Sequence, residues 1–404
     1  MSYQTASRVL AAARLEATAG TIATATGAAQ VRLIDSPGLQ LNRAQVQSAE
    51  KLTTGLKQML RLGYKTVQGS FNSELSVGGA NDLFMQGLIR NAWATSTSFS
   101  FASVTTVAIS TNNLSCGASS SFITAGVKVG DIFYVTGTTV SGDNSVNAQV
   151  LALTTQTITV ASGTFTTLTA SATGTLTILK KLVSPTSSPT QYPMSIEQND
   201  TDIDLSEVFL GNLCVGGRFS MKPGQMATVQ WSFLGTDRTA MTTGTSPYFT
   251  SPTLTTSLPL VADDSAIYYN GTRVATFTGF DFNFQVTAKG EPVIGALVTP
   301  TIFDNDCMLD GTITGLRSDF SNLTLYDAET EFEIFMMLQE PSGTPKNALG
   351  FYFPRVKIKD LQANFGGGDG GKIEQLQIQM GPKTADSSHN YGYGSICSSG
   401  AYPF

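Results

Sequence analysis

Four separated segments of this 404-residue chain alternate apolar and polar residues with a period of two. Only a strand sends successive side chains to opposite faces. In Thr66–Leu75, Val67, Phe71 and Leu75 fall on one face and Gln68, Ser70, Asn72 and Glu74 on the other. Ala227–Gly235 sets Val229, Trp231 and Phe233 against Thr228, Gln230 and Ser232. Glu331–Leu338 sets Phe332, Ile334, Met336 and Leu338 against Glu331 and Glu333. Ile373–Met380 sets Leu376, Ile378 and Met380 against Gln375, Gln377 and Gln379. One dry and one wet face per strand describes an antiparallel sheet covered on one side. Asn270-Gly271, between Ile267–Tyr269 and Thr272–Phe277, adds a two-residue hairpin signal.

Composition points the same way. Charged residues are 13% of the chain, half the usual ~25%. Thr, Ser and 39 glycines take their place. Exposed helices want Lys, Glu and Arg, so long surface helices and coiled coils are not expected. One internal helix is expected over Asn81–Trp93, with Asn81 as its cap and Asp82 in its first turn. Met85, Leu88, Ile89 and Ala92 give it an apolar stripe to lay on the sheet. Arg43–Lys65, with Leu52, Leu56, Met59 and Leu60, reads either as a second short helix or as a long excursion.

Residues 97–183 are a distinct block, with five charges in 87 residues and Ser, Thr, Gly, Val and Ala nearly throughout. Within it Asp131–Gly137, Gln149–Leu153, Thr157–Val160 and Thr175–Leu179 read as strands, and Pro185–Thr190 follows as a linker. The expected architecture is mainly β. An antiparallel β-sandwich or barrel of residues 1–96 and 184–404 carries one packed α-helix, and 97–183 form an inserted small all-β domain.

Several chemistries are set aside. The single histidine, His389, sits in a polar Gly-rich tail that reads as disordered or arm-like, so a histidine base or a multi-histidine metal site has no source. Cys116, Cys214, Cys307 and Cys397 lack CxxC spacing and read as reduced, mostly buried thiols. Gly366–Lys372 matches phosphate-loop spacing, but Ile373 stands where Ser or Thr would hold Mg²⁺, and a strand follows where a helix is needed. The acidic clusters Asp304–Asp310 and Asp200–Asp204 lack the order of a calcium loop and read as solvated. No catalytic, cofactor or metal constellation emerges. The start shows no secretory apolar region and no stretch of 18 apolar residues occurs, so the expectation is cytoplasmic maturation without a membrane span.

Charge is unevenly divided. Residues 1–96 carry nine Lys/Arg against five Asp/Glu, residues 97–183 three against two, and residues 184–404 twelve against twenty-three. A basic part joined to an acidic part suits self-association. No basic stripe with interleaved aromatics is present to hold nucleic acid.

Arg14–Thr21 resembles the opening of the major tail tube proteins of long-tailed, siphophage-like bacteriophages, as does Val67-Gln-Gly69-Ser-Phe-Asn-Ser-Glu74-Leu leading into the helix. The resemblance continues through Met194–Glu197, Thr201-Asp202, Met221–Gly235, Glu331–Phe335 and Phe351–Lys357. It implies a virion building block rather than an enzyme. Homohexameric rings join their sheets into one β-barrel and stack into a tube, meeting tape-measure, tail-terminator and distal tail proteins. Double-stranded DNA passes through the tube on its way to the host. Four strands per copy would give about 24 strands and a backbone diameter near 48 Å. Side chains leave a bore of about 38 Å, against a duplex roughly 20 Å across.

Transit requires a polar lumen without net positive charge, since a wall neutralising phosphates would hold DNA. The lumen candidates are the wet faces: Gln68, Ser70, Asn72, Glu74, Gln230, Ser232, Glu331, Glu333, Gln375, Gln377 and Gln379. Arg43, Lys51, Lys57, Arg61 and Lys65 are the candidates for stacking one ring on an acidic surface of the next. The insert is expected to project outward, so that its deletion spares assembly. The rival class is a β-rich adhesin or capsid or tail decoration protein that binds a glycan or shell and forms no channel. A polysaccharide-cleaving enzyme has no sequence support beyond the abundance of carboxylates.

Overall fold

The computed structural model describes residues 3–400 except 6, 36, 242–243 and 364–370. The chain is mainly β, in large antiparallel sheets. One ladder runs through Gly38–Val46, Arg61–Glu74, Thr228–Gly235, Leu205–Met221, Phe277–Gly290, Ile302–Leu316, Ile373–Met380 and Lys346–Ala363. The alternation set this register, because a one-residue slip would turn every Phe and Val outward. The Gly366–Gly370 part of the glycine run lies outside the described residues.

Lys346–Ala363 belongs to two layers. From Val356 onward, through a bulge between Ile358 and Asp360, its second half pairs with Ile373–Met380, while its first half pairs with Phe332–Gly343 and Ser395–Ser398. The first half lies over the ladder's dry face. Phe282 stacks on Phe219 at 4.6 Å and meets Phe351 and Phe353 edge-on at 5.1 and 5.3 Å. Leu205–Met221 is likewise shared, its first half pairing with Met194–Asp200 and Asp237–Met241. It turns at Gly211, where φ is +62° and a Cβ would collide with the Thr236 hydroxyl. Buried Glu16 fixes that turn, accepting hydrogen bonds from the Gly211 and Gly20 N–H groups and the Ser195 hydroxyl at 2.7–2.9 Å. The Glu of the opening motif is therefore structural.

The helix spans Gly79–Ile89, two residues earlier than expected at its start. Asn81 is not its cap. The chain enters through Gly78 and Gly79, both at positive φ, and Asn81 lies inside the helix, buried. Its amide donates to the Glu74 and Ser76 carbonyls and accepts from Trp231 Nε1 and the Ser73 hydroxyl. A helix buried on almost every side must satisfy its polar groups against the sheet rather than in water. Arg90 ends it in a left-handed cap at φ 60°.

Arg43–Lys65 holds no helix, and its middle is an excursion between two strands. Gly38–Val46 and Arg61–Glu74 pair as a long hairpin, and residues 47–60 form its tip. Asn270-Gly271 turns as its sequence implies, both residues at positive φ and Tyr269 paired with Thr272.

Residues 97–178 carry two small sheets around a separate core that includes Phe101, Phe122, Phe133, Ile158 and Leu176. The expected single strand Gln149–Leu153 is split between those sheets as Ala148–Gln149 and Ala152–Leu153. The next strand, Lys180–Val183, pairs with Ser395–Ser398 in the main body. The C-terminal segment is thus not an arm through residue 398. It folds back and completes a sheet, burying Cys397. All four cysteines are free, two of them buried, and burial pushes the Cys307 and Cys397 thiols up to about 12. No helix among the described residues is long and apolar enough to cross a membrane.

Candidate functional site

The ladder's wet face is one continuous surface. Opposed residues form a row across seven strands: Asn72, Gln230, Arg218, Asn283, Asp310, Gln379 and Lys357. A second row runs beside it through Glu74, Thr228, Ser220, Asp281, Thr312, Gln377 and Asp360. Between them the surface dips into a trough of about 320 Å³, with Gly217 and Gly311 in its lining.

The chemistry of the face is amide, hydroxyl and mixed charge. Glu74, Asp281, Asp310 and Asp360 are interspersed with Arg218, Lys357 and, at the trough, Lys359. Opposite charges at strand spacing cancel the long-range field that would draw a polyanion, while the amides keep the surface wet.

Nine of the eleven wet residues read from the sequence share this face: Gln68, Ser70, Asn72, Glu74, Gln230, Ser232, Gln375, Gln377 and Gln379. The structure brings Glu331 and Glu333 to another place. They adjoin the second layer on the side of Phe335, away from Ile334 and Met336, which enter the main core. There Glu331 holds Arg355 through two oxygens at 2.6 and 2.8 Å, and Glu333 lies 3.7 Å from Lys383. Strand parity alone could not reveal which layer a wet face belongs to. Sequence reasoning missed Arg218, Asp281, Asn283 and Asp310, although Phe280-Asp-Phe-Asn-Phe284 has the same alternation that marked the other strands.

The basic candidates divide. Arg43 donates to the Gly63 carbonyl within its hairpin, and Lys65 pairs with Asp237 at 2.7 Å. Lys51, Lys57 and Arg61 are exposed at or beside the tip and make no ion pair among the described residues.

The opposite side of the body is covered. Phe335, Tyr352 and Tyr268 pack against Val129 and Leu151 of the insert, and Met337 and Ala348 against Ile132 and Leu179. Gly130 touches the Tyr352 ring so closely that a Cβ would sit 2.3 Å from it. Two buried carboxylates secure the junction. Asp131 meets Lys181 at 2.8 Å, and Asp82 of the helix meets Lys180 at 2.5 Å beneath Trp93, with Ser398 donating to the same carboxylate. Burial pushes both carboxyls above their usual range, against the pull of the lysines.

Asp304 pairs with Arg90 at 2.7 Å, so the acidic cluster there is partly spent on holding the helix end. No group of three or more His, Cys, Asp or Glu among the described residues is arranged to hold a metal ion. A family model described as phage tail tube protein matches residues 5–380. No curated protein matches the chain.

Proposed function

We propose, for a chain that belongs to the phage tail tube protein family, that its wet ladder face lines a channel closed by six copies. A member of this family is a structural part of the virion tail and not an enzyme. The proposal adds the ring, the lumen and the cargo. Hexameric rings stack, and double-stranded DNA slides through during ejection from a long, siphophage-type tail. Tape-measure, terminator and distal tail proteins complete the tube, which assembles in the host cytoplasm.

The observation that carries this reading is the seven-strand polar row with mixed, nearly balanced charge. The ladder also has unfinished borders. Among the described residues Gly38–Val46 pairs on one side only, apart from a clasp by the Gln198 amide on Leu39. Past Val356, no strand among the described residues pairs with the far edge of Lys346–Ala363. Pairing such edges between copies removes an aggregation hazard and closes a wall. Seven strands from each of six copies would enclose roughly 84 Å, and four from each about 48 Å. The bore therefore reports how much of the row each copy supplies.

Microscopy of concentrated protein is expected to show hollow tubes. Carrying Gln230→Lys and Gln379→Lys into those tubes adds twelve cations per ring to the wall. Linear duplex is expected to enter wild-type tubes and leave freely, but to be retained by the variant in a strongly salt-dependent way. Tubes whose retention of DNA is unchanged by these lysines would remove the face from the lumen.

A further inference from the structure

We propose that Ser395–Ser398, the last strand among the described residues, is a latch that opens while the body stays folded and must close before copies of the chain can join. Its opening is a property of one chain, and its role in joining copies rests on the tube reading.

The strand fills a slot where three parts of the molecule meet. On one side it pairs with Lys180–Val183, which leads out of the insert and has no other strand partner among the described residues apart from a single bridge to Ala94. On the other side it pairs with Leu349–Tyr352 of the second layer. Ser398 donates to the Asp82 carboxylate of the helix at 3.1 Å, and Cys397 packs against Ile132 and Leu179 at the insert junction. Closing the slot fastens insert, helix and second layer to one another.

Little apolar surface holds the strand in place. Within it only Ile396 and Cys397 are apolar, and Ile396 is half-buried. Its neighbour, by contrast, buries Leu349, Phe351, Tyr352 and Phe353. A strand held mainly by hydrogen bonds exchanges them for water when it leaves, so its opening falls among low-cost local events. Residues 381–394 connect it to Met380, with Gly392 and Gly394 at positive φ, so it can swing out while Ile373–Met380 stays paired.

The strand it props is the one that borders the ladder. One edge of Lys346–Ala363 is lined by Ser395–Ser398 as far as Tyr352 and by Ile373–Met380 from Val356 onward. The opposite edge past Val356 is the unfinished border. With the latch out, Leu349–Tyr352 loses a partner and Lys180–Val183 loses its sheet. The border is then offered by a strand no longer fixed along its first half, and a loosely held edge loses more entropy on pairing.

The test uses the full chain and its own thiols. Cys397 and Cys214 are 0% and 3% exposed, the first in the latch and the second in the main core. Neither reacts with N-ethylmaleimide until the structure around it opens. Under native conditions, adduct mapping by mass spectrometry is expected to show Cys397 modified about 100-fold faster than Cys214, with the thermal melt of the body retained. Chains blocked at Cys397 are expected to be absent from tubes, whereas chains blocked only at the half-buried Cys116 of the insert enter them. Gly394→Ala, which crowds the Tyr352 carbonyl, is expected to speed Cys397 labelling further and to lower the tube yield. Equal rates at Cys397 and Cys214 overturn the latch, because the strand then leaves only on global unfolding. Rapid labelling followed by normal entry of blocked chains into tubes overturns its role in joining. Unmodified chain that forms neither rings nor tubes overturns the tube reading and that role with it, while the labelling rates still judge the latch.

Discussion

The two broad sides of the body are both sheet surfaces, and they are finished in opposite ways. The ladder's wet face is open and made of amides, hydroxyls and balanced charge. The far side presents Phe335, Met337 and Tyr352, and the insert covers them. An open face is free to meet something that moves past it. An apolar face has to be sealed, so the insert is part of the fold's support and not a detachable ornament.

Removing the insert is the most severe way to break this contrast. Replacing residues 97–178 with a short linker is geometrically feasible, because Thr97 and Ile178 are cross-strand partners. Uncovering three large side chains costs roughly 5–9 kcal/mol, comparable with a whole domain's stability of about 5–15 kcal/mol. The truncated chain is expected to aggregate on expression. A soluble, cooperatively melting truncation that still forms tubes would show that the seal is dispensable.

A smaller cut addresses the junction alone. Lys180→Met leaves Asp82 buried without its cation, at an expected cost of about 3–5 kcal/mol. The raised Asp82 carboxyl means that the folded state holds a proton the unfolded chain has released, so stability falls as pH rises through that window. The variant's deficit should therefore shrink on acidification, and Lys180→Met with Asp82→Leu should recover much of it. Chemical denaturation at two pH values measures both. A deficit that does not change with pH would mean that the carboxylate is not the source.

The slightest effect concerns the C-terminal return. Partial burial works against ionisation of Asp386, but hydrogen bonds from His389 and from the Ser388 and His389 N–H groups hold its carboxyl below the usual range. A depressed carboxyl stabilises the fold above its unfolded value and loses that contribution as pH falls toward its own. The protection of the amides in residues 384–392, taken relative to their intrinsic exchange at each pH, is expected to fall between about pH 5 and pH 3. Equal protection at both would detach this turn from Asp386.

Legibility followed the reach of each interaction. Ile373–Met380 is a strand with the bounds its alternation implied, and Thr228–Gly235 differs by one residue. The wet residues of these strands were readable because each needs only its own neighbours. The helix start was misjudged because Asn81 answers to Trp231, 150 positions away, rather than to its own first turn. Glu333 has the same local pattern as Gln377, and only the path of Lys346–Ala363 from one layer to the other separates them.

From the sequence alone came the alternating strands such as Thr228–Gly235 and Ile373–Met380, their wet and dry faces and the Asn270-Gly271 turn, since all of these depend on residue type and close spacing. The tertiary structure decided which wet faces merge into one surface, that the C-terminal segment folds back, and that the insert is a lid over Phe335 and Tyr352. Those outcomes depend on contacts between residues far apart in the chain. The pattern within a strand fixes which side is apolar, but only packing fixes what that side is pressed against.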